Sequence, residues 1–247
     1  MIVVVPVDPP WDGLALPSLV ETTPLTESEA SLLSEAATAD VLRAAAASGG
    51  DVLVNYRDEG TLPDDVDVGE EPEDAIRDLA ADALEGLEEV RFERQVGSTR
   101  SARIGNTVTH LLEREEVGTV GVLEPTASLV GRSDIDGAAM GLRRHDVVLG
   151  PSSGGRVSFA GFTDTIDFAE AYATPALSTL ARRTRAAGLD LGFAPVIPSV
   201  ATESGLCATV ATLEAHEIAG RPGGEATAAA IEELGLAVGE DGRLERR

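Results

Sequence analysis

Seven short runs of β-branched and aliphatic residues, at 2–7, 51–56, 90–92, 119–123, 146–149, 157–162 and 191–197, are spaced by stretches of helical length. This alternation constrains the fold more than any other feature. Val3-Val-Val5 and Val147-Val-Leu149 are apolar at every position. Strands of that kind are covered on both faces, which calls for a largely parallel sheet between two layers of helices. The segments between them carry helix signals. Thr26-Glu-Ser-Glu29 reads as a capping box opening a helix to about Ala47, and Ile104, Val108, Leu111 and Leu112 mark one face of another. A polar, acidic loop over 60–69 leads to a helix near 72–87. After Thr174 the signals agree on a further helix: Thr174 as N-cap, Pro175 at N1, Leu177 and Leu180 toward the core, Arg182, Arg183 and Arg185 as helix-end charges, and Gly188 beyond.

The expectation is therefore one three-layer α/β domain with a mostly parallel sheet, mixed at its edge and flanked by helices. Residues 1–219 make its body. Residues 220–247, set off by Gly220-Arg-Pro-Gly-Gly224, extend the same domain with a helix and a small hairpin turning at Glu240-Asp241.

A formal charge of −24, from 43 acidic and 19 basic residues, argues against DNA, RNA or an anionic membrane as partner. All 19 basic residues are arginine. That balance predicts a salt-loaded cytoplasm: in molar salt the Debye length falls to roughly 3 Å, so dense like charge repels little and keeps the protein hydrated. The single Cys207 lies in an apolar stretch and reads as a small core residue. The start, Met1-Ile-Val-Val-Val-Pro-Val7, lacks the basic region and long apolar segment of a signal peptide, and no window approaches a membrane span. A soluble cytoplasmic protein is expected; oligomeric state is left open.

Several common chemistries are poorly supported. Gly150-Pro-Ser-Ser-Gly154 has the pattern of a hydrolase nucleophile elbow with Ser152 as nucleophile, but an elbow turns from strand into helix, and Arg156-Val-Ser-Phe-Ala160 reads as another strand. His110, His145 and His216 fall in helical or helix-end contexts with nothing to mark a general base. One cysteine and three scattered histidines offer no zinc-ligand spacing. The first strand ends in Pro6-Val-Asp-Pro-Pro-Trp11 rather than a dinucleotide-binding glycine pattern, and a lysine-bearing phosphate loop is impossible without lysine.

What remains is a set of loops at strand ends, at 6–12, 95–103, 121–125, 150–156 and 198–202, where open α/β sheets bind ligands. Their residues carry a resemblance. Gln95-x-Gly97 is followed by Arg103, Gly121 by Pro125, and His145-Asp-Val-Val-Leu-Gly-Pro151 by Gly155 and Gly161-Phe162; Ala173-Thr-Pro175 then opens the helix through Ala186-Ala-Gly-Leu189. Leu25-Thr-Glu-Ser-Glu-Ala30 adds to the series. In this order and spacing the chain, over residues 2–206, resembles the nucleotide-diphospho-sugar transferase superfamily of glycosyltransferase-A type. Within it, the chain resembles the radical-SAM/selenoprotein-domain-associated transferases.

The resemblance implies a divalent cation held by carboxylates against a nucleotide diphosphate. The acids are replaced here. The family's aspartate in Gly-x-Asp-x-Pro falls on Leu123, with Glu124 next to it; its Asp-Gly-Gly falls on Gly154-Gly155-Arg156; its late Asp-Val-Asp-Thr falls on Ser199-Val-Ala-Thr202. The basic residues that the family carries after its first strand are also missing, since no arginine precedes Arg43.

Two readings of the remaining loop residues stay open. In one, Arg156 supplies a fixed charge for phosphate or carboxylate, Arg103 a second, and Gln95, Ser152 and Ser153 neutral hydrogen bonds. Pro6, Val7 and Asp8, with Gly97, Gly150, Pro151 and Gly155, shape the surrounding backbone. In the other, Arg156 is a solvated strand residue, Ser152 and Ser153 cap a turn, and Arg103 pairs with a surface acid. Glu124 is a candidate relocated ligand, although one residue of shift on a strand turns a side chain to the opposite face.

The function expected is that of a divergent transferase-like protein binding a nucleotide, sugar nucleotide or small anion, with metal-dependent transfer weakened or lost and no cofactor. One alternative is an active glycosyl- or nucleotidyltransferase using magnesium or manganese through Glu124. The other is a non-catalytic scaffold. Arg156→Ala should abolish anion binding, and restoring Asp at Leu123 and Gly154 should recover some metal binding.

Overall fold

The computed structural model describes residues 1–63, 71–221 and 223–247. Most of the acidic loop at 60–69, and Pro222 in the segment before the last helix, fall outside the described residues. The chain runs β1 (Ile2–Val7), α1 (Pro17–Thr22), α2 (Glu27–Ala47), β2 (Asp51–Tyr56), α3 (Pro72–Ala83), β3 (Val90–Arg94), α4 (Arg100–Glu113), β4 (Val120–Leu123), α5 (Arg132–Gly141), β5 (Val147–Pro151), β6 (Val157–Phe162), α6 (Ala176–Ala186), β7 (Leu191–Phe193), α7 (Glu203–Ile218), α8 (Glu225–Glu233), β8 (Leu236–Val238) and β9 (Leu244–Arg246). Seven strands form one sheet in the order β3-β2-β1-β4-β6-β5-β7. Among the described residues no helix is long and apolar enough to cross a membrane.

β1 sits at the centre of this arrangement. It pairs in parallel with β2, Val3 opposite Val52 and Val5 opposite Val54, and with β4, Val3 opposite Gly121. Alternate side chains build two cores. Val3, Val5 and Val7 pack with Val41 and Leu42 of α2, Ile76 of α3 and Ile135 of α5. Ile2 and Val4 pack with Ile104, Val108 and Leu111 of α4 and Leu180 of α6. The helix faces read from the sequence are thus the ones buried.

The mixed part of the sheet is not at its edge. β6 runs antiparallel between β4 and β5, inside the sheet. The reason is the five-residue connection at 152–156: so short a loop returns the chain antiparallel beside the strand it left, whereas a parallel neighbour needs a crossover of a dozen or more residues.

The capping box of α2 is present, with Thr26 Oγ1 accepting from Glu29 N and Glu29 Oε2 accepting from Thr26 N. α6 begins one residue later than the signals placed it. Pro175 occupies the N-cap position, its carbonyl accepting from Thr179 N at 3.3 Å, and Thr174 lies outside the helix. α3 stops at Ala83 because Leu84 is already extended, and β7 stops at Phe193, just before Ala194-Pro195, where a proline offers no ladder donor. α1, a single short turn with proline at N1, carried no periodic signal.

The carboxyl-terminal hairpin forms as expected, Leu236 opposite Arg246 and Val238 opposite Leu244. It and α8 share a third core with α1, α2 and α7. α8 starts at Gly224 with no side-chain cap of its own. Its cap comes from α2: the buried Asp40 accepts from Ala226 N, Thr227 N and Thr227 Oγ1 at 3.0, 2.8 and 2.7 Å. Asp40→Ala strips the cap and leaves those buried donors unsatisfied, so denaturant unfolding should show a loss of about 2 kcal/mol.

Candidate functional site

The parallel pairing sends the chain out of β1, β2 and β4 at the same end of the sheet, and a cavity of about 220 Å³ opens there. Pro6, Val7 and Asp8 line it after β1, Glu124 and Pro125 after β4, Arg100 from the first turn of α4, and Arg156 from the loop between β5 and β6. Five of the sequence-predicted residues, Pro6, Val7, Asp8, Glu124 and Arg156, therefore meet in one place. A larger hollow of about 950 Å³ lies between α7 and α8, where Glu214, Glu217, Glu225 and Glu232 outnumber Arg221 and Arg247 and leave it net negative.

Arg100 is a cavity residue that the sequence reading missed. Its guanidinium Nη2 donates to Glu124 Oε2, and the Glu124 side chain is only 15% exposed. Burial acts to lower the pKa of Arg100, but the charge and hydrogen bond of Glu124 outweigh it and hold the pKa above its ordinary value. The local signal was faint: an arginine right after the N-cap Thr99, at the positive end of a helix dipole, where cations are disfavoured. Arg156, by contrast, has no ion-pair partner among the described residues.

The other predicted residues build the walls. Arg103 Nε donates to Gln95 Oε1 at 2.6 Å, and Gln95 Nε2 donates to Asn55 O at 2.6 Å. Both side chains are buried, and Arg103 is bonded to Gln95 rather than to a surface acid. Gly97, at φ +136°, lets the chain turn into α4, where a Cβ would stand 3.0 Å from Arg103 N. Gly150 is paired within β5–β6, and Pro151 O accepts from Ile197 N. Ser152 is buried and donates from Oγ to Ile197 O at 2.7 Å, so it is not a poised nucleophile. Ser153, Gly154 and Gly155 make a single tight turn with both glycines left-handed, and β6 follows, as the objection to an elbow required. The histidines are occupied elsewhere or unremarkable: His145 Nδ1 lies 2.6 Å from Asp190 Oδ2 and His110 Nε2 lies 3.3 Å from Glu115 Oε1. Cys207 is buried, and burial pushes its thiol pKa up.

Leu123 and Glu124 divide between the two faces of the sheet. Leu123 is fully buried with α2 and α5, whereas Glu124 meets Arg100 of α4. Ser199 bonds to Thr126, Thr202 caps α7, and Ala201 lines the cavity. A divalent cation does not fit this donor set. The two carboxylates at the cavity, Asp8 and Glu124, each face an arginine, and no cluster of three His, Cys, Asp or Glu side chains able to hold a metal occurs among the described residues.

The comparisons concern the fold. Neither a protein-family model nor a curated protein sequence matches the chain. Among solved structures, one from Desulfovibrio desulfuricans G20, provisionally described as a nucleotide-diphospho-sugar transferase, superposes with a TM-score of 0.72 over 94% of each chain at 17% identity. A cytidylyltransferase from Leptospira borgpetersenii gives 0.51 at 9% identity, covering 94% of this chain and 93% of the other. The 4-diphosphocytidyl-2C-methyl-D-erythritol synthase of Anaerococcus prevotii gives 0.50 at 12%, covering 87% and 96%. The fold is of the nucleotide-diphospho-sugar transferase type. Within that transferase fold, the cavity occupies the carboxyl end of the sheet, the usual ligand end of open α/β proteins.

Two outcomes follow. Aspartate at Leu123 would enter the core rather than the cavity, so Leu123→Asp should cost about 4 kcal/mol or more in denaturant unfolding and recover no metal binding. The two tyrosines report on the strand ends. Burial and the hydrogen bond to Glu73 push Tyr56 up to about 12, and burial with the charge of Glu124 raises Tyr172 further. An ultraviolet titration of the folded protein should show no tyrosinate near pH 10. Since the folded pKa of Tyr56 exceeds the unfolded value, its stabilisation is complete below about pH 10 and lost as pH rises through about 12. Tyr56→Phe should flatten the alkaline loss over that window.

Proposed function

We propose that this chain is a divergent protein of the nucleotide-diphospho-sugar transferase fold whose strand-end cavity binds a phosphate-bearing ligand, a nucleotide or sugar nucleotide, through arginine in place of a metal, with metal-dependent transfer weakened or lost. The observation that carries the reading is Arg156, a guanidinium lining the cavity without an ion-pair partner among the described residues. In a protein with 43 acids, leaving that cation unpaired beside Arg100 suits an oxyanion from outside. The replacement of the family's acids by Leu123, Ala201 and the Gly154-Gly155-Arg156 turn supports the same direction, as does the finer resemblance to the radical-SAM-associated transferases. A strongly acidic exterior favours neither nucleic acid nor an anionic membrane as partner.

Calorimetric titration with nucleoside di- and triphosphates and sugar nucleotides, with and without magnesium or manganese, tests this in molar potassium chloride, the medium that the composition predicts. Binding should be independent of the metal. Arg156→Ala should weaken it at least tenfold, the loss of about one charge-assisted hydrogen bond, roughly 1.5–3 kcal/mol. Glu124→Gln should leave binding intact or tighten it, because Arg100 is then released. Metal-requiring binding that Glu124→Gln abolishes would instead favour the active-transferase reading with Glu124 as a metal ligand, and no binding to any member of the panel would favour a scaffold.

A further inference from the structure

Arg156 and Arg100 are not the only cations at this end of the sheet. Arg57 follows β2 directly, with its backbone N–H bonded to Val7 O at 3.2 Å, so it stands beside the start of the loop that carries Asp8. Its side chain is 13% exposed. Nη2 donates to Thr61 O, but Nε is buried with no hydrogen-bond partner among the described residues. Asp8 Oδ1 stands 3.7 Å from that Nε, too far to fill it.

Arg103 lies one turn into α4 and is 7% exposed, with Gln95 as its side-chain acceptor and no carboxylate bonded to it among the described residues. Burial lowers its pKa, and the neighbouring charges of Arg57 and Arg100 lower it further against the opposing pull of Asp8. No acid occupies the first turn of α4. Arg57, Arg100 and Arg103 thus stand together at this end of the sheet, Arg57 facing Asp8 and Arg100 facing Glu124, while Arg103 has no carboxylate partner among the described residues. Some exposed arginines are matched, as Arg91 is by Glu93 and Glu115 and Arg246 by Glu29, whereas others, such as Arg182, have no ion-pair partner among the described residues and stand in water, where that costs little. Burying a cation such as Arg103 beside others with no carboxylate of its own is costly unless an anion joins them.

We infer that Arg57, with Arg103 and Arg100, forms a second oxyanion site, contiguous with the cavity through Asp8 and Arg100, that takes a phosphoryl group. Arg57 Nε is its unfilled donor. A guanidinium pair presents planar forks suited to phosphoryl oxygens, and the positive end of α4 adds to them. Asp8 is the resident counter-charge that the incoming group displaces. The phosphoryl group is either the second phosphate of a ligand held at Arg156 or a free phosphate. This site goes beyond the cavity reading, and its test turns on Arg57 rather than Arg156, so the two fail separately.

The probes are inorganic pyrophosphate and orthophosphate, titrated calorimetrically into the full chain and into Arg57→Gln, with the exposed Arg182→Gln as a control for the loss of one charge. Pyrophosphate is expected to bind at least tenfold more tightly than orthophosphate, and Arg57→Gln to erase that difference while Arg182→Gln preserves it. Equal binding of the two probes, with both lost in Arg57→Gln, would also uphold the site and identify a free phosphate as its occupant. Affinities within twofold of the unaltered protein in Arg57→Gln would overturn the assignment. Should that variant fold poorly, the unaltered protein labelled with ¹⁵N-arginine decides: the Arg57 Nε resonance, identified by its loss in Arg57→Lys, shifts on adding pyrophosphate, and a resonance that stays in place overturns the site.

Discussion

The site depends on β1 being held from all sides. It is apolar along its whole length, buried on both faces, and bonded in parallel to β2 and β4. A strand so placed cannot slip by one residue without exchanging its two cores, Val3, Val5 and Val7 on one face for Ile2 and Val4 on the other. Its register fixes where the chain leaves the sheet. Val7 stands opposite Tyr56, and Tyr56 opposite Arg94, so Asp8, Arg57 and Gln95 emerge side by side. β4 ends beside them and delivers Glu124. The cavity is what remains between these exits, the first turn of α4 and the β5–β6 turn.

Electrostatics then sets that corner apart from the rest of the molecule. Elsewhere carboxylates dominate, and arginines either form exposed pairs with them, each worth little in water and less in salt, or stand in solvent with no ion-pair partner among the described residues. At the strand ends arginines gather beside Asp8 and Glu124, and the Arg103 guanidinium and the Glu124 carboxylate are sheltered from water. Sheltering the Glu124 carboxylate reduces the screening that makes surface charge harmless. Arginine suits the location: its guanidinium remains charged when buried, where a lysine would shed its proton more readily.

The body of the fold was legible because its signals are local and agree with one another. Each of the seven sheet strands lies where β-branched runs placed it, and the Thr26–Glu29 box opens α2. What the sequence hid were relations across the chain. β6 lies inside the sheet because of a short return loop, which no single run of residues reveals. Asp40 caps α8 from 186 residues away, for which spacing offers no pattern. At the site, Arg156 and Glu124 were found through loop position, but Arg57 and Arg100 were passed over. Each looks like an ordinary charge at the end of an element, and only the parallel pairing of β1, β2 and β4 brings them together. Gln95 and Arg103 were each read as a group for a ligand, or Arg103 as the partner of a surface acid, whereas they bond to each other within the wall.

Leu123 and Glu124 show how one position at a strand end decides what a side chain can meet. Along a strand, neighbouring residues face opposite layers, so an acid displaced by one position is moved to another environment. Leu123 completes the core beneath α2 and α5, while Glu124 meets the first turn of α4 and finds Arg100 already there. A carboxylate in that position neutralises a cation fixed in the protein. Recruiting a mobile metal would require it to give up that partner and gather further oxygen donors, which Ala201 and the Gly154-Gly155 turn do not supply. The ion pair therefore decides what this end of the sheet offers: the Glu124 carboxylate is committed to the Arg100 guanidinium, and Arg156 lines the cavity with no ion-pair partner among the described residues.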